Sequence, residues 1–301
     1  MTTVAVIAHA KKKLGGGLDE LRERLGEAGF PDPLWYEVPK SKKAPACARD
    51  AVANGADLLV VWGGDGTVQR CIDAVAGSGA AVAIVPTGTS NLLATSLRIP
   101  KDLGEAVRVA LHGDRRTIDT GTVNGEHFAM MAGAGLDALL VRDADSGLKD
   151  RFGRAAYLYT GAKALGVRPV RATVTVDGRR LYRGPTTCVL VGNTSELIAG
   201  IDVFEVSEPD DGVLEVGVVT AKGRLEWLRV FARVVLGKGK DSPFVETSRG
   251  RTISVAFLRA TLYELDGGDR EPARRLDIAV DPSSVTVCVP AADERPDDES
   301  A

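Results

Sequence analysis

What this 301-residue chain lacks narrows its function before any motif is read. No stretch approaches the roughly 20 apolar residues that a membrane span needs. Residues Met1 to Ala8 lack the charged region and long apolar segment of a signal peptide, and read as a first strand. A protein that meets membranes at most peripherally is expected. Basic excess is missing too: 38 Lys plus Arg face 41 Asp plus Glu, a net charge of −3. Nothing in this balance argues for bulk nucleic-acid binding, while a local basic face toward anionic lipid or ATP stays open. The four cysteines, Cys47, Cys71, Cys188 and Cys288, are widely spaced in apolar contexts without metal-type pairing, which suits a reduced cytoplasm. There is no G-x-x-x-x-G-K-[ST], and no G-x-G-x-x-G after the first strand, so neither a P-loop enzyme nor a dinucleotide dehydrogenase is supported.

What is present centres on Gly63-Gly64-Asp65-Gly66-Thr67, between the apolar run Leu58 to Trp62 and the helical pattern Val68 to Ala76. Strand, glycine turn and helix follow one another. The glycines let backbone approach a ligand, and the new helix offers unpaired N–H groups and a positive dipole end to phosphate oxygens. Asp65 is the odd residue. An acid among phosphate-facing amides repels the ligand unless a cation intervenes, which points to a magnesium nucleotide; the plain alternative is ordinary Asp-Gly turn chemistry.

Strand Val4 to Ala8, a helix over 18–28, strand Leu34 to Val38, a helix from Ala44 to Asn54 and strand Ala81 to Pro86 alternate, as in a parallel sheet. Thr87-Gly88-Thr89-Ser90-Asn91 forms a second Gly/Thr-rich loop, and open α/β sheets bind ligands beyond the carboxyl ends of their strands. Lys11 to Lys13 and Gly15 to Gly17 make either another anion-facing loop or a solvated basic turn. From Thr117 the pattern changes to short strands: Thr117 to Val123 and Glu126 to Ala132 around Asn124-Gly125, then Ala172 to Asp177 and Arg180 to Arg183, then Thr187 to Gly192. Helices are expected over 153–165 and 225–236. Domains are therefore set at 1–118 (ATP-binding α/β), 119–291 (antiparallel β, for the acceptor) and 292–301 (a disordered acidic tail).

The two loops together resemble the diacylglycerol kinase catalytic family, which includes bacterial lipid kinases and the sphingosine and ceramide kinases, with NAD kinases as distant kin. Gly133-Ala134-Gly135-Leu136-Asp137-Ala138, Pro209-Asp210-Asp211-Gly212-Val213-Leu214-Glu215-Val216 and Leu265-Asp266-Gly267 are similar to its later motifs. The resemblance implies a Rossmann-like nucleotide domain, an antiparallel β-sandwich domain and a site in the cleft between them. ATP and magnesium are the implied cofactors. Nucleotide contacts fall on Gly63, Gly64, Asp65, Gly66, Thr67, Val68, Gln69, Gly88, Thr89 and Asn91, and a structural magnesium on Asp211 with the carbonyls of Glu208 and Val213, although Asp210-Asp211-Gly212 could be only a turn. Implied partners are a membrane-presented lipid substrate at the inner membrane face and, as an open arrangement, a second copy of the chain.

The chain departs from the family at the glutamate proposed as general base, where it has Gly268. Asp269, Glu271 and Asp65 are candidates for that role. The family's Asn-Pro after the first strand is His9-Ala10, and its threonine after the second has Ser41 as the nearest hydroxyl. Lys238, Lys240, Arg249 and Arg251 form either a basic collar toward an anionic membrane or a helix cap and solvated loop. Three functions follow: an ATP-dependent lipid kinase, a kinase of a soluble acceptor such as NAD or a polyol, and an idle nucleotide or lipid binder.

Overall fold

The computed structural model describes residues 2–89, 91–136, 138, 168–194, 196–198, 201–202, 208–221, 223–235 and 242–292. The expected helix over 153–165, the lysines of the basic collar, the acidic tail from Asp293 and the residues Ser90, Asp137 and Ser195 lie outside them. The chain divides into two units, Met1–Ile118 with Ser283–Ala301, and Asp119–Pro282.

Unit 1 begins β1 (Val4–His9), α1 (Gly17–Glu27), β2 (Leu34–Val38), α2 (Ala44–Ala53), β3 (Leu58–Gly63), α3 (Asp65–Val75) and β4 (Ala81–Pro86). Strands β2, β1, β3 and β4 lie side by side and parallel. Continuous apolar strands need cover on both faces. Val6, Val60 and Ala83 share one core cluster with Leu21 and Leu25 of α1 and with α5 (Leu103–His112), which follows the short α4 (Leu92–Ser96). By strand alternation, Ile7, Leu59 and Ile84 point to the other side, where α2 and α3 bury Ala48, Ala51, Cys71 and Ile72. The sequence reading passed over α5, although Asp102 caps it by accepting the Glu105 N–H at 3.0 Å.

Strand β5 (Asp114–Val123) carries the chain onward, and in unit 2 it pairs with β6 (Glu126–Phe128) across Asn124-Gly125, both at positive φ as a type I′ turn requires. Then come β7 (Met131–Gly135), β8 (Val170–Val176), β9 (Arg179–Thr186), β10 (Cys188–Gly192), β11 (Glu196–Ile198), β12 (Ile201–Asp202), β13 (Leu214–Val219), α6 (Arg224–Val235), β14 (Val245–Gly250), β15 (Thr252–Leu265) and β16 (Gly268–Val289). The pairings β14-β13-β10-β7-β15-β16 are antiparallel, with β8 on β15 and β9 on β8. One core joins Phe128, Val174, Val191, Val216, Val255 and Leu276.

Two expectations change. The single strand expected over 126–132 is two, because the Asp266 carboxylate accepts the N–H groups of Ala129, Met130 and Met131 at 2.7, 2.9 and 2.8 Å and takes them out of a ladder. The second domain does not run unbroken to residue 291 either. Thr286 and Val287, at the end of β16, pair in parallel with Ala81 and Val82 of β4, so Ser283 onward belongs to unit 1.

Candidate functional site

The two Gly/Thr loops leave adjacent parallel strands, and the backbone joins them first: the Thr87 N–H donates to the Gly63 carbonyl at 3.0 Å. They then touch at their glycines. A Cβ on Gly88 would lie 2.7 Å from the Gly64 Cα, and one on Gly64 would lie 3.0 Å from the Gly88 Cα, so only glycine fits this approach. The second loop is shaped by Asn91, buried and left-handed at φ 50°, whose Oδ1 accepts the Gly88 N–H at 2.8 Å while its Nδ2 donates to the Gly88 carbonyl at 2.7 Å.

Asp65 completes the join. Its Oδ2 accepts the Asn91 N–H at 2.9 Å and its Oδ1 the Leu92 N–H at 2.6 Å. The acid that looked out of place among phosphate-facing amides is turned sideways, onto the start of α4. Hydrogen bonds to a charged group contribute about 1.5–3 kcal/mol each, so this clasp fixes the spacing of the two loops.

The clasp decides which residues can meet a ligand. Thr67, Val68 and Gln69 are buried at 2%, 4% and 1% exposure, and the N–H groups of Thr67 and Val68 already bond to the Gly64 carbonyl. A Cβ on Gly63 would strike Thr67, so that glycine serves helix packing. Gly64, Asp65, Gly66 and Gly88 are half-buried and Thr89 is exposed, and of these glycines only Gly66 has open space beside it, a Cβ there meeting nothing within 4 Å. That open ground lies at the N-terminal end of α3, where helix amides and dipole suit an anion. Two hydroxyls were not singled out as contacts. Ser41 Oγ lies 2.9 Å from Thr67 Oγ1, beside the first loop, and the buried Thr87 Oγ1 has no hydrogen-bond partner among the described residues. Ser41 comes close through the fold and not through spacing in the sequence.

The loop after β1 resolves differently. The Gly16 N–H donates to Glu20 Oε2 at 2.6 Å, and that bond, followed by the one from Arg24, holds the Glu20 carboxyl below the ordinary carboxylate range. The amide that a phosphate would need is taken by the chain's own acid. Burial, ahead of the charges of Lys12 and Lys11, holds His9 below its usual imidazole value, so it adds no cation at pH 7.

In unit 2, Asp211 Oδ1 accepts the Val213 N–H at 3.1 Å and Oδ2 accepts from Arg249 Nη2 at 2.8 Å. The Glu208 carbonyl accepts the Asp211 N–H at 3.3 Å, and Asp119 Oδ2 accepts the Gly212 N–H at 2.7 Å. A hard cation needs free oxygens, and here a guanidinium already neutralises the loop's carboxylate. A cation held by Asp211 with the Glu208 and Val213 carbonyls would have to displace Arg249 from that carboxylate, and no cluster of three or more His, Cys, Asp or Glu side chains is found among the described residues. Arg249 is thereby drawn to Asp211 rather than to a basic collar.

At the family's general-base position no side chain stands. Arg270 Nη1 donates to the Gly268 carbonyl at 2.8 Å and would lie 2.9 Å from a Cβ there, and its guanidinium pairs with Glu126. Asp269 and Glu271 are exposed on β16, on the strand face opposite to that of residues 268 and 270. The cysteines are free thiols, and burial pushes Cys71 up to about 12. No helix among the described residues is long and apolar enough to cross a membrane.

Two clasped loops at the ends of adjacent parallel strands in an α/β unit, followed along the chain by an antiparallel β unit, make an arrangement suited to holding a phosphate. The chain belongs to the diacylglycerol kinase family: the model described as "Diacylglycerol kinase catalytic domain" matches residues 4–123, and "YegS C-terminal NAD kinase beta sandwich-like domain" matches residues 130–289. The diacylglycerol kinase of Bacillus subtilis is 28% identical over 258 residues, covering 83% of each chain. A crystal structure of a diacylglycerol kinase from Bacillus anthracis aligns with a TM-score of 0.73 at 22% identity, covering 95% of this chain and 96% of that one. An NAD kinase from Archaeoglobus fulgidus, solved in complex with ATP, aligns at 0.54 and 12% identity, covering 96% and 93%. At these identities the two structures speak for the fold alone.

Proposed function

We propose that the protein is an ATP-dependent lipid kinase that transfers the γ-phosphoryl group to a hydroxyl of a diacylglycerol-like or sphingoid lipid. The observation that carries this reading is the clasped pair of loops, with Gly64 and Gly88 in contact, Thr89 exposed and open space beside Gly66 at the start of α3. Phosphoryl transfer needs little covalent help and depends on positioning and charge neutralisation. The glycine backbone would seat the phosphates, Thr89 and Ser41 would supply hydroxyl contacts, and Asp65 would hold the loops at the working distance. Magnesium arriving with the nucleotide would neutralise phosphate charge. Membership in the diacylglycerol kinase family supports the lipid as acceptor.

The test is transfer of label from radiolabelled ATP with magnesium to a panel of diacylglycerol, sphingoid base, NAD and glycerol, with lipids in mixed micelles. A labelled lipid is expected. Label in NAD or glycerol instead would reassign the acceptor, and no transfer while ATP still binds would favour the idle binder, the reading that Gly268 supports. Asp269→Asn with Glu271→Gln should leave transfer intact, since both side chains are exposed on the strand face opposite to that of residue 268; lost transfer in a folded variant would make one of them the base.

A further inference from the structure

The sheet formed by β9, β8, β15 and β16 has an inner side in the core of unit 2, with Val174, Val255 and Leu276 among its residues. Among the described residues, the other side carries no such core cluster. Two rows cross all four strands on it by register. Arg183 stands opposite Thr173, Thr173 opposite Ala256 and Ala256 opposite Arg275; in the next row Arg180, Thr175, Ser254 and Asp277 follow in the same way. Arg171 lies on β8 two residues from Thr173 and so on the same side. Leu258 stands two residues beyond Ala256 and is 72% exposed, one of two large apolar side chains so exposed among the described residues.

Charge and shape point the same way. Arg171, Arg180 and Arg183 are exposed, and none of their guanidinium groups has a hydrogen-bond or ion-pair partner among the described residues. The single acid in the two rows, Asp277, is taken by Arg275, whose Nε lies 2.8 Å from its Oδ1. The strand positions between the arginines hold only Thr, Ser and Ala, so the surface is broad and low. Unpaired arginines around an exposed leucine complement an anionic, partly apolar plane, which is what a bilayer rich in acidic lipid offers.

We infer that this outer face docks the protein on anionic lipid membranes through Arg171, Arg180, Arg183 and Leu258. The choice of a membrane over other polyanions rests on the lipid-kinase reading. Full-length protein is sedimented with vesicles of phosphatidylcholine alone and of phosphatidylcholine with phosphatidylglycerol, and with duplex DNA as a second polyanion. Binding to the anionic vesicles is expected, weakened by salt, and reduced by roughly fivefold per arginine removed, so about twentyfold or more in Arg171→Gln with Arg183→Gln. Leu258→Ser should weaken it further without changing the salt dependence. These exposed substitutions should leave the melting temperature and the phosphorylation of short-chain diacylglycerol in micelles unchanged. Wild-type vesicle binding by the double variant would overturn the inference, and so would arginine-dependent binding to DNA but not to vesicles. Arginine-dependent vesicle binding by a protein that phosphorylates no lipid would leave the docking face standing and remove the kinase reading.

Discussion

Two glycine loops of unit 1 look alike in composition and do opposite things. After β1, Gly15 and Gly16 lie against the carboxylate of Glu20, which takes the Gly16 amide. After β3, Asp65 is just as close to its glycines but turns to the amides of Asn91 and Leu92, leaving the ground beside Gly66 open. Both loops hold an internal acid. The difference is which amides that acid occupies: Glu20 takes an amide of its own loop, whereas Asp65 takes those at the start of α4, as the anion site proposed for the second loop requires.

The comparison breaks most readily at the glycine contact. Gly88→Ala would put a methyl 2.7 Å from the Gly64 Cα and force the loops apart. A displacement of that kind costs on the order of a hundredfold in turnover, measurable as the steady-state rate of transfer from ATP with nucleotide affinity followed by calorimetry. Asp65→Asn should come next. One acceptor oxygen becomes an NH2 facing a backbone N–H, at a cost of about 1–3 kcal/mol, seen as a lower melting temperature together with weaker ATP binding. If turnover vanished while melting and binding stayed at wild-type values, Asp65 would be a chemical group and the clasp incidental.

Glu20→Gln sharpens the contrast from the other side: nucleotide affinity should be unchanged, since the open ground is elsewhere. A gain in phosphate affinity would turn the β1 loop into a second anion site. The smallest effect is expected at Asp177, whose carboxyl is held below its ordinary value first by the Thr252 amide. Its folded pKa lies below its unfolded one. The stability it adds is therefore present above the unfolded value and lost as pH falls through the folded value. Asp177→Asn should remove that part of the acid limb in melting curves recorded against pH.

The strand, turn and helix around Gly63 to Thr67 were legible because they are local: apolar run, glycines and helical spacing lie within one short stretch. So were the turns at Asn124-Gly125 and Asp177-Gly178, both at positive φ. The clasp was not legible, because the partners of Asp65 are 26 and 27 residues away and are backbone groups with no signature of their own. The same holds for Arg249 on Asp211, 38 residues apart. Other features left signals that went unread. Asp102 with Glu105 announces the start of α5, and the alternation of Ser284, Val285, Thr286 and Val287 is that of a strand.

That last strand has a consequence for the order in which the protein is made. Unit 1 pairs its β4 with Thr286 and Val287, so on the ribosome its sheet waits, one strand short, while all of unit 2 is synthesised. Domains generally fold as units as they emerge, which lets unit 2 close first although it is the later half of the chain. Until then β4 is an unpaired edge, the kind of surface on which nascent chains pair wrongly. Completion of unit 1 thus depends on Ser283 to Val289, and a stop codon before Ser283 would spare every residue of the two clasped loops while leaving their sheet unfinished.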